Sequence, residues 1–141
     1  MGVVYYAHLL NKNKITGEFK MAIGKKEWII PDCELPQEGE GVAKGHESVI
    51  IVNDSEVDAK IDVSIYFTDK EPHTGIVWEV GAKRVKCFRM NNIEHMCGFK
   101  VPFETQYAMK VSSNTPIVLQ YGRLDNTQAN LAFYTTLGYS E

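Results

Sequence analysis

The sequence lacks the features that mark membrane and nucleic-acid-binding proteins. No stretch of its 141 residues approaches the ~20 consecutive apolar residues needed to cross a bilayer. The sequence also has no large excess of either charge, because its 15 Lys and Arg nearly balance its 18 Asp and Glu, giving a formal net charge of −3. Phosphate contacts need a basic face, which this balance does not favour. We therefore expect no membrane insertion and no nucleic-acid partner.

Cysteine and histidine are too sparse for a disulfide framework or a metal site. The three cysteines, Cys33, Cys87 and Cys97, form no CxxC pair. His95 and Cys97 lie two residues apart, but a structural zinc site needs four ligands and no second pair exists. We predict three free thiols, a cytoplasmic location and no cofactor.

Motifs that announce catalysis are missing as well. The sequence has no GxSxG elbow, no P-loop, no dinucleotide fingerprint and no HExxH. Its histidines are isolated, so a strand-borne histidine pair for a cupin-type metal site is also lacking. These absences predict a protein that is not an enzyme.

What the sequence does contain is the composition of one globular domain. Hydrophobic residues make up 44% and charged residues 23%, which is too apolar for a disordered chain. Residues 1–20 read differently, with one apolar stretch followed by a polar one, and are interpreted as an N-terminal arm or an extension. We place the domain at residues 21–141.

Apolar residues in this domain recur with a period of two. Ile61, Val63, Ile65 and Phe67 alternate with polar residues, as expected of a strand with one buried face. Several such segments, separated by turn residues, predict about eight short strands in an antiparallel, jelly-roll-like β-sandwich. Residues 112–116 are interpreted as a turn, residues 31–45 as a long loop of the functional type, and residues 125–132 as a short helix.

Polar side chains stand at the ends of several predicted strands. Each has an ordinary explanation taken singly: a strand cap, a turn, or an arginine paired with a carboxylate. Together they supply the planar donors and acceptors of a polar small-molecule pocket, and an aromatic ring could stack on a sugar face. Arginine also grips carboxylates and phosphates through two parallel bonds.

The same residues carry a family resemblance. Residues 21–139 resemble the sensory rhodopsin transducer family, first known from the partner of a cyanobacterial sensory rhodopsin. The strongest block is residues 65–72, Ile-Tyr-Phe-Thr-Asp-Lys-Glu-Pro, similar to the family's Tyr-Tyr-Ser-Asp-Lys-Glu-Pro. Further matching blocks are residues 23–25 with Trp28, 46–49 leading into Asn53, 82–84 with Arg89, 113–118 with Gln120, and 123–125 with 128–129. The loop at 31–45 and residues 95–99 differ from the rhodopsin-linked branch.

The resemblance implies a cytoplasmic β-sandwich that forms a homo-oligomer, typically a tetramer, and senses a small molecule. Our leading hypothesis is a non-enzymatic sensor for a sugar or related polar metabolite, with a protein signalling partner as a further expectation. Its ligand-binding residues would be Trp28, Glu47, Asn53, Tyr66, Asp69, Glu71, Arg84, Arg89, Gln120, Arg123 and Asp125. Two alternatives stay open: an adaptor whose polar residues make subunit or partner contacts, and a sugar-acting enzyme using Asp69 and Glu71.

Overall fold

The computed structural model describes residues 21–141, and residues 1–20, the arm or extension, lie outside the described residues. The described chain contains eight strands and no helix. They are β1 (Lys25–Glu34), β2 (His46–Asn53), β3 (Ala59–Phe67), β4 (His73–Val80), β5 (Arg84–Arg89), β6 (Gln106–Asp125), β7 (Ala132–Leu137) and β8 (Tyr139–Ser140). All the strand ladders are antiparallel, which confirms the all-β prediction. Within this range no helix is long and apolar enough to span a membrane.

The longest strand, β6, belongs to both layers of the sandwich. Its first half pairs with β1 and β3, giving a first sheet in the order β4-β3-β6-β1-β8. Its second half, from Val118 onward, pairs with β2 and β7, giving a second sheet in the order β5-β2-β6-β7. One strand therefore holds the two layers together.

The predicted turn at residues 112–116 is wrong, because β6 runs straight through it. Ser112 pairs in register with Glu27 and Asp62 on either side, so its backbone is used by the first sheet. The register with β1 then jumps from Glu27↔Ser112 to Lys25↔Ile117. Pro116, which cannot donate a ladder hydrogen bond, lies at this irregularity, where a sheet tolerates proline.

The predicted helix at residues 125–132 is also wrong. The Asp125 carboxylate accepts hydrogen bonds from the backbone N–H and the hydroxyl of Thr127, two residues later, which is the pattern of an Asx-turn. β7 then begins at Ala132 and pairs back onto β6. Asp125 therefore accepts backbone and side-chain hydrogen bonds as a capping residue does, but it does so in the turn between β6 and β7.

The core lies between the two sheets, where the alternating apolar residues point inward. Ile61, Val63 and Ile65 are fully buried, as their spacing predicts. Trp78 of the first sheet stacks on Phe88 of the second, with ring centroids 4.3 Å apart. The Trp78 indole N–H donates to the carbonyl of His95, 2.7 Å away, so the 90–105 connection closes this side of the sandwich.

Candidate functional site

A glutamate lies inside the sandwich at the start of β2. Glu47 is fully buried, and its side chain points inward as do Val49 and Ile51 further along the strand. The Tyr107 hydroxyl donates to its Oε2 at 2.5 Å, and the Tyr121 hydroxyl and the Glu34 backbone N–H both donate to its Oε1. The carboxylate thus joins β1, β2 and two distant points of β6.

Arg123 is the counter-charge of this carboxylate. It is the register partner of Glu47 across β2 and β6, and its Nε lies 4.0 Å from Oε1. This Nε is buried and has no hydrogen-bond partner among the described residues, so the pairing is Coulombic and not bidentate. The guanidinium carbon lies 5.7 Å from the Tyr134 ring on β7. We call Glu47, Tyr107, Tyr121 and Arg123 the Glu47 cluster.

Burial controls protonation in this cluster. Burial raises the pKa of Glu47, while the hydrogen bonds from Tyr107, Tyr121 and Glu34 and the charge of Arg123 oppose the rise. Burial, together with the Glu47 charge, also raises the pKa of both tyrosines and of the nearby Cys33 thiol. A protonated, buried thiol is inert, so the cluster contains hydrogen-bond donors and no activated nucleophile.

A large cavity lies beside this end of the sandwich, between two loops. We call it the loop cavity: it has a volume of about 920 Å³, with one wall from residues 37–43 and the other from residues 126–131. Its side chains are Gln37, Glu40, Val42, Ala43, Glu104, Asn126, Thr127, Gln128, Ala129 and Leu131, with Gly39 and Gly41. The lining contains two carboxylates, three amides and a hydroxyl, and it has neither a basic nor an aromatic side chain.

Asn126 joins the two walls of the loop cavity. Only 7% of the residue is exposed, and its amide N–H donates to the Ala43 carbonyl of the opposite loop. Its Oδ1 is buried with no hydrogen-bond partner in the described part of the chain. A Cβ at Gly39 would come within 2.2 Å of that oxygen, so the close approach of the loops requires glycine there, where φ is +69°. A buried acceptor without a donor is costly.

The structure brings few of the sequence-predicted site residues together. Glu47 and Arg123 meet in the Glu47 cluster, and Asp125 lies two residues further along β6, directly before the cavity wall. Asn53 and Arg84 are register partners at the other end of β2 and line a separate, shallow cavity of about 300 Å³. None of the eleven residues lines the loop cavity.

The remaining predicted residues are dispersed. Trp28 lies in the core, with its indole N–H donating to the Lys25 carbonyl, so it offers no exposed stacking face. Arg89 is partly buried at the end of β5, with its Nε donating to Asn91, and Gln120 is partly buried in the middle of the second sheet. Tyr66, Asp69 and Glu71 are exposed around the turn after β3.

Asn53 has a structural role. Its amide N–H groups contact the carbonyls of Val57, Val80 and Gly81, and its oxygen accepts from the Ser55 backbone N–H and hydroxyl. All of its polar atoms are therefore used to hold the β2–β3 turn against the end of β4.

The cavity residues were missed because they lie on loops, where periodicity gives no signal. The predicted functional loop at residues 31–45 is wrong over its first four residues, because β1 continues to Glu34 and pairs there with β6. The cavity wall comes from the remainder of that segment. On the other wall, the polar run Asp125-Asn126-Thr127 was read as a helix start. Among residues 21–141 no group of three or more His, Cys, Asp or Glu side chains is arranged to hold a metal ion.

Fold and site together define an all-β sandwich protein with a buried carboxylate cluster and a polar cavity between end loops. The family model of the Anabaena sensory rhodopsin transducer matches residues 23–140, and the chain belongs to this family. The Thermotoga maritima 1070 crystal structure is similar, with a TM-score of 0.75 and 29% identity over 84% of this chain and 96% of that one. The structure of the Anabaena sensory rhodopsin transducer has a TM-score of 0.64 and 35% identity over 72% of this chain and 96% of that one. No curated protein sequence matches the chain.

Proposed function

We propose that this protein is a non-enzymatic, cytoplasmic sensor that binds a sugar or related polar metabolite in the loop cavity and works as a homo-oligomer, typically a tetramer. The observation that carries the proposal is the 920 Å³ cavity, whose polar lining lies between two loops that Asn126 joins. A cavity of this size falls in the range that small-molecule sites occupy.

The lining favours a neutral ligand over a phosphorylated one. Glu40 and Glu104 contribute negative charge and no lysine or arginine lines the cavity, so a phosphate would meet repulsion. Amide and carboxylate groups pair well with neighbouring hydroxyls, because each offers two adjacent polar atoms. The Gln37 amide already donates to Glu104, 3.2 Å away, which orients both groups at the cavity rim.

The signal would pass from the cavity into the second sheet. Residues 126–131 form one cavity wall and continue directly into β7, whose ladder with β6 begins at Asp125↔Ala132. A ligand that binds one conformation of this wall more tightly increases the population of that conformation, and with it the corresponding position of β7. A partner protein that contacts β7 would bind the two conformations with different affinity. The transducer for which the family is named makes a protein signalling partner the natural reader.

The binding test compares two exposed glutamines. Gln128 lines the cavity, whereas Gln106 is exposed at the start of β6 and does not line it. We expect calorimetric titration to find a neutral sugar or polyol that binds, at least tenfold weaker binding by Gln128→Ala, and unchanged binding by Gln106→Ala. A sugar phosphate panel run in parallel should give weaker binding. Failure of the whole panel, or equal losses in the two variants, contradicts the proposal.

The adaptor alternative differs in what its arginines should do. It needs arginines that pair with carboxylates of another chain, whereas Arg123 has its carboxylate, Glu47, within its own chain. The enzyme alternative needs two carboxylates across a cleft, whereas Asp69 and Glu71 are exposed on one turn. Chromatography of the sugar after incubation with the protein distinguishes the two. A sensor binds the sugar and leaves it unchanged, whereas an enzyme converts it to a product.

A further inference from the structure

A second cavity lies at the same end of the sandwich as the loop cavity, and most of its lining is apolar. We call it the apolar pocket: it has a volume of about 270 Å³ and lies between residues 35–38 and the 90–105 connection. Three of its lining side chains are fully buried in the core: Leu35, Met90 and Val101. Three more are partly exposed and contribute two phenyl rings: Ile93, Phe99 and Phe103.

A partition of two chain segments separates the apolar pocket from the loop cavity. Leu35 and Phe103 pair in an isolated bridge, and the Glu104 backbone N–H donates to the Leu35 carbonyl, 2.9 Å away. Leu35 and Phe103 line the apolar pocket, whereas their neighbours Gln37 and Glu104 line the loop cavity. None of the described residues lines both, so the two cavities are distinct sites.

Contacts within the protein hold the walls of the apolar pocket in place. The Gly98 backbone N–H donates to the Ile93 carbonyl, and the Phe99 backbone N–H donates to the Met96 carbonyl, each at 2.9 Å. The Phe99 ring stacks on the His73 ring, with centroids 3.7 Å apart and planes 16° from parallel. The pocket is therefore formed before any ligand arrives, which lowers the entropic cost of binding.

The polar part of the lining consists of two opposite charges and one amide. Glu38, Lys100 and Asn91 are all exposed at the opening of the pocket. Glu38 and Lys100 do not form an ion pair with each other, nor does either pair with another side chain among residues 21–141. A carboxylate and an ammonium group are thus both available to a molecule that enters the pocket.

We propose that the apolar pocket binds a free α-amino acid with an apolar side chain, such as leucine or phenylalanine. The ligand's ammonium group pairs with Glu38 and its carboxylate pairs with Lys100, while the Asn91 amide can bond to either. The ligand's side chain lies against Phe99 and Phe103. This site goes beyond the proposed sugar binding and does not depend on it.

Other ligand classes match this lining less well. A fatty carboxylate would bring its negative charge near Glu38, and a simple amine would bring its positive charge near Lys100. A sugar would turn hydroxyls toward the rings of Phe99 and Phe103, where they find no hydrogen-bond partner. The volume of about 270 Å³ lies just below the range of about 300–1,000 Å³ that drug-sized ligands occupy, which favours a compact molecule.

A titration with three related ligands tests the proposal on the full chain. Phenylalanine carries both charges, phenylpropionate lacks the ammonium group, and phenethylamine lacks the carboxylate. In calorimetric titration we expect phenylalanine to bind at least about tenfold more tightly than either analogue, because each analogue loses one charge pair. The proposal is overturned if neither phenylalanine nor leucine binds at up to about 10 mM, or if an analogue binds as tightly as phenylalanine.

Matched lysine variants test which residue recognises the carboxylate. Lys60 is an exposed lysine of β3 that does not line the apolar pocket. Lys100→Met should weaken phenylalanine binding at least about tenfold and remove the preference for phenylalanine over phenethylamine, whereas Lys60→Met should bind as the native chain does. Equal affinities of these two variants for phenylalanine overturn the proposal.

The matching glutamate variants test recognition of the ammonium group. Glu38→Gln should remove the preference for phenylalanine over phenylpropionate, whereas Glu79→Gln, a change on the exposed face of β4, should keep it. If Glu38→Gln keeps the preference, the assignment of the ammonium group is overturned.

A variant of the loop cavity shows which of the two sites the amino acid occupies. Gln128→Ala should bind phenylalanine as the native chain does, because Gln128 lines the loop cavity and not the apolar pocket. Weaker phenylalanine binding by this variant would place the amino acid in the loop cavity and overturn the assignment. Sugar titration of Lys100→Met reports separately on the loop cavity, so the two proposals can fail independently.

Discussion

Replacing the buried glutamate tests the physical account of the Glu47 cluster most directly. Glu47→Ala removes the acceptor of three hydrogen bonds, from Tyr107, Tyr121 and the Glu34 backbone, and the counter-charge of Arg123. Each abandoned buried donor costs about 1–3 kcal/mol, and breaking a buried charge pair costs about 3–5 kcal/mol in measured cases. These overlap, so we expect Glu47→Ala to lower the free energy of unfolding by about 4 kcal/mol.

Glu47→Gln should cost much less, because the geometry allows the amide to take over most contacts. Tyr121 and the Glu34 backbone both donate to Oε1, a position that the amide oxygen can occupy. The amide NH₂ then faces the Tyr107 hydroxyl, which can turn and accept. The attraction to Arg123 is lost, but so is the cost of burying a charge. We expect a loss of about 1–2 kcal/mol.

The assay is urea unfolding at one protein concentration, followed by the fluorescence of the two buried tryptophans, Trp28 and Trp78. Glu79→Ala is the matched control, since Glu79 is an exposed strand glutamate on the outer face and should lose no more than about 0.5 kcal/mol. The reasoning is refuted if Glu47→Ala unfolds within about 1 kcal/mol of the Glu79→Ala control, or if glutamine is as costly as alanine.

Three further predictions follow from the same structure. Burial raises the folded-state pKa of Glu47 above 4.5, so the free energy of unfolding of the native chain, relative to that of Glu47→Gln, should be greatest below about pH 4.5 and should fall as pH rises through the folded pKa. Urea unfolding of both proteins from about pH 4 to pH 8 measures this difference. A difference that grows in favour of the native chain as pH rises contradicts the prediction. Asn53→Ala should cost about 2–4 kcal/mol in the same assay, since five buried or partly buried hydrogen bonds that hold the β2–β3 turn against the end of β4 are lost. A neutral result would remove its structural role. Gly24→Ala should lower the thermal midpoint, because Gly24 has φ of +122° and a Cβ would lie 2.2 Å from the Ile117 carbonyl oxygen; an unchanged midpoint would show that this end of β1 can move away.

The sequence predicted the strands whose environment is local. The alternation of apolar and polar residues is enough to predict β3, because one face of this strand is buried in the core and its other face is exposed to solvent. β6 was divided in two because Ser112, Ser113, Asn114 and Pro116 have turn propensities. Pairing with β1 and β3 overrides these propensities, and no local pattern reports on partners more than 40 residues away.

The candidate site was predicted less well, for a reason that lies in its geometry. Polar residues at strand ends were assumed to converge, but strand ends point to opposite ends of a sandwich, as Glu47 and Asn53 do on β2. The pairing of Glu47 with Arg123 depends on the register between β2 and β6, which a single sequence does not specify. The loop cavity depends on how two loops of different parts of the chain approach each other, and Asn126 and Gly39 show that contact only in three dimensions.

The shared strand β6 has a consequence for the order in which a ribosome-bound chain can fold. Before residues 106–125 are synthesised, only the β3–β4 hairpin and the β2–β5 pair have their partners, and β1 has none. Neither sheet can be completed until β6 has left the exit tunnel. Until then β1, β2 and β3 each have an unpaired edge that β6 later covers. The nascent chain is therefore most prone to aggregate just before its own longest strand emerges, and this interval is where a chaperone would act on it.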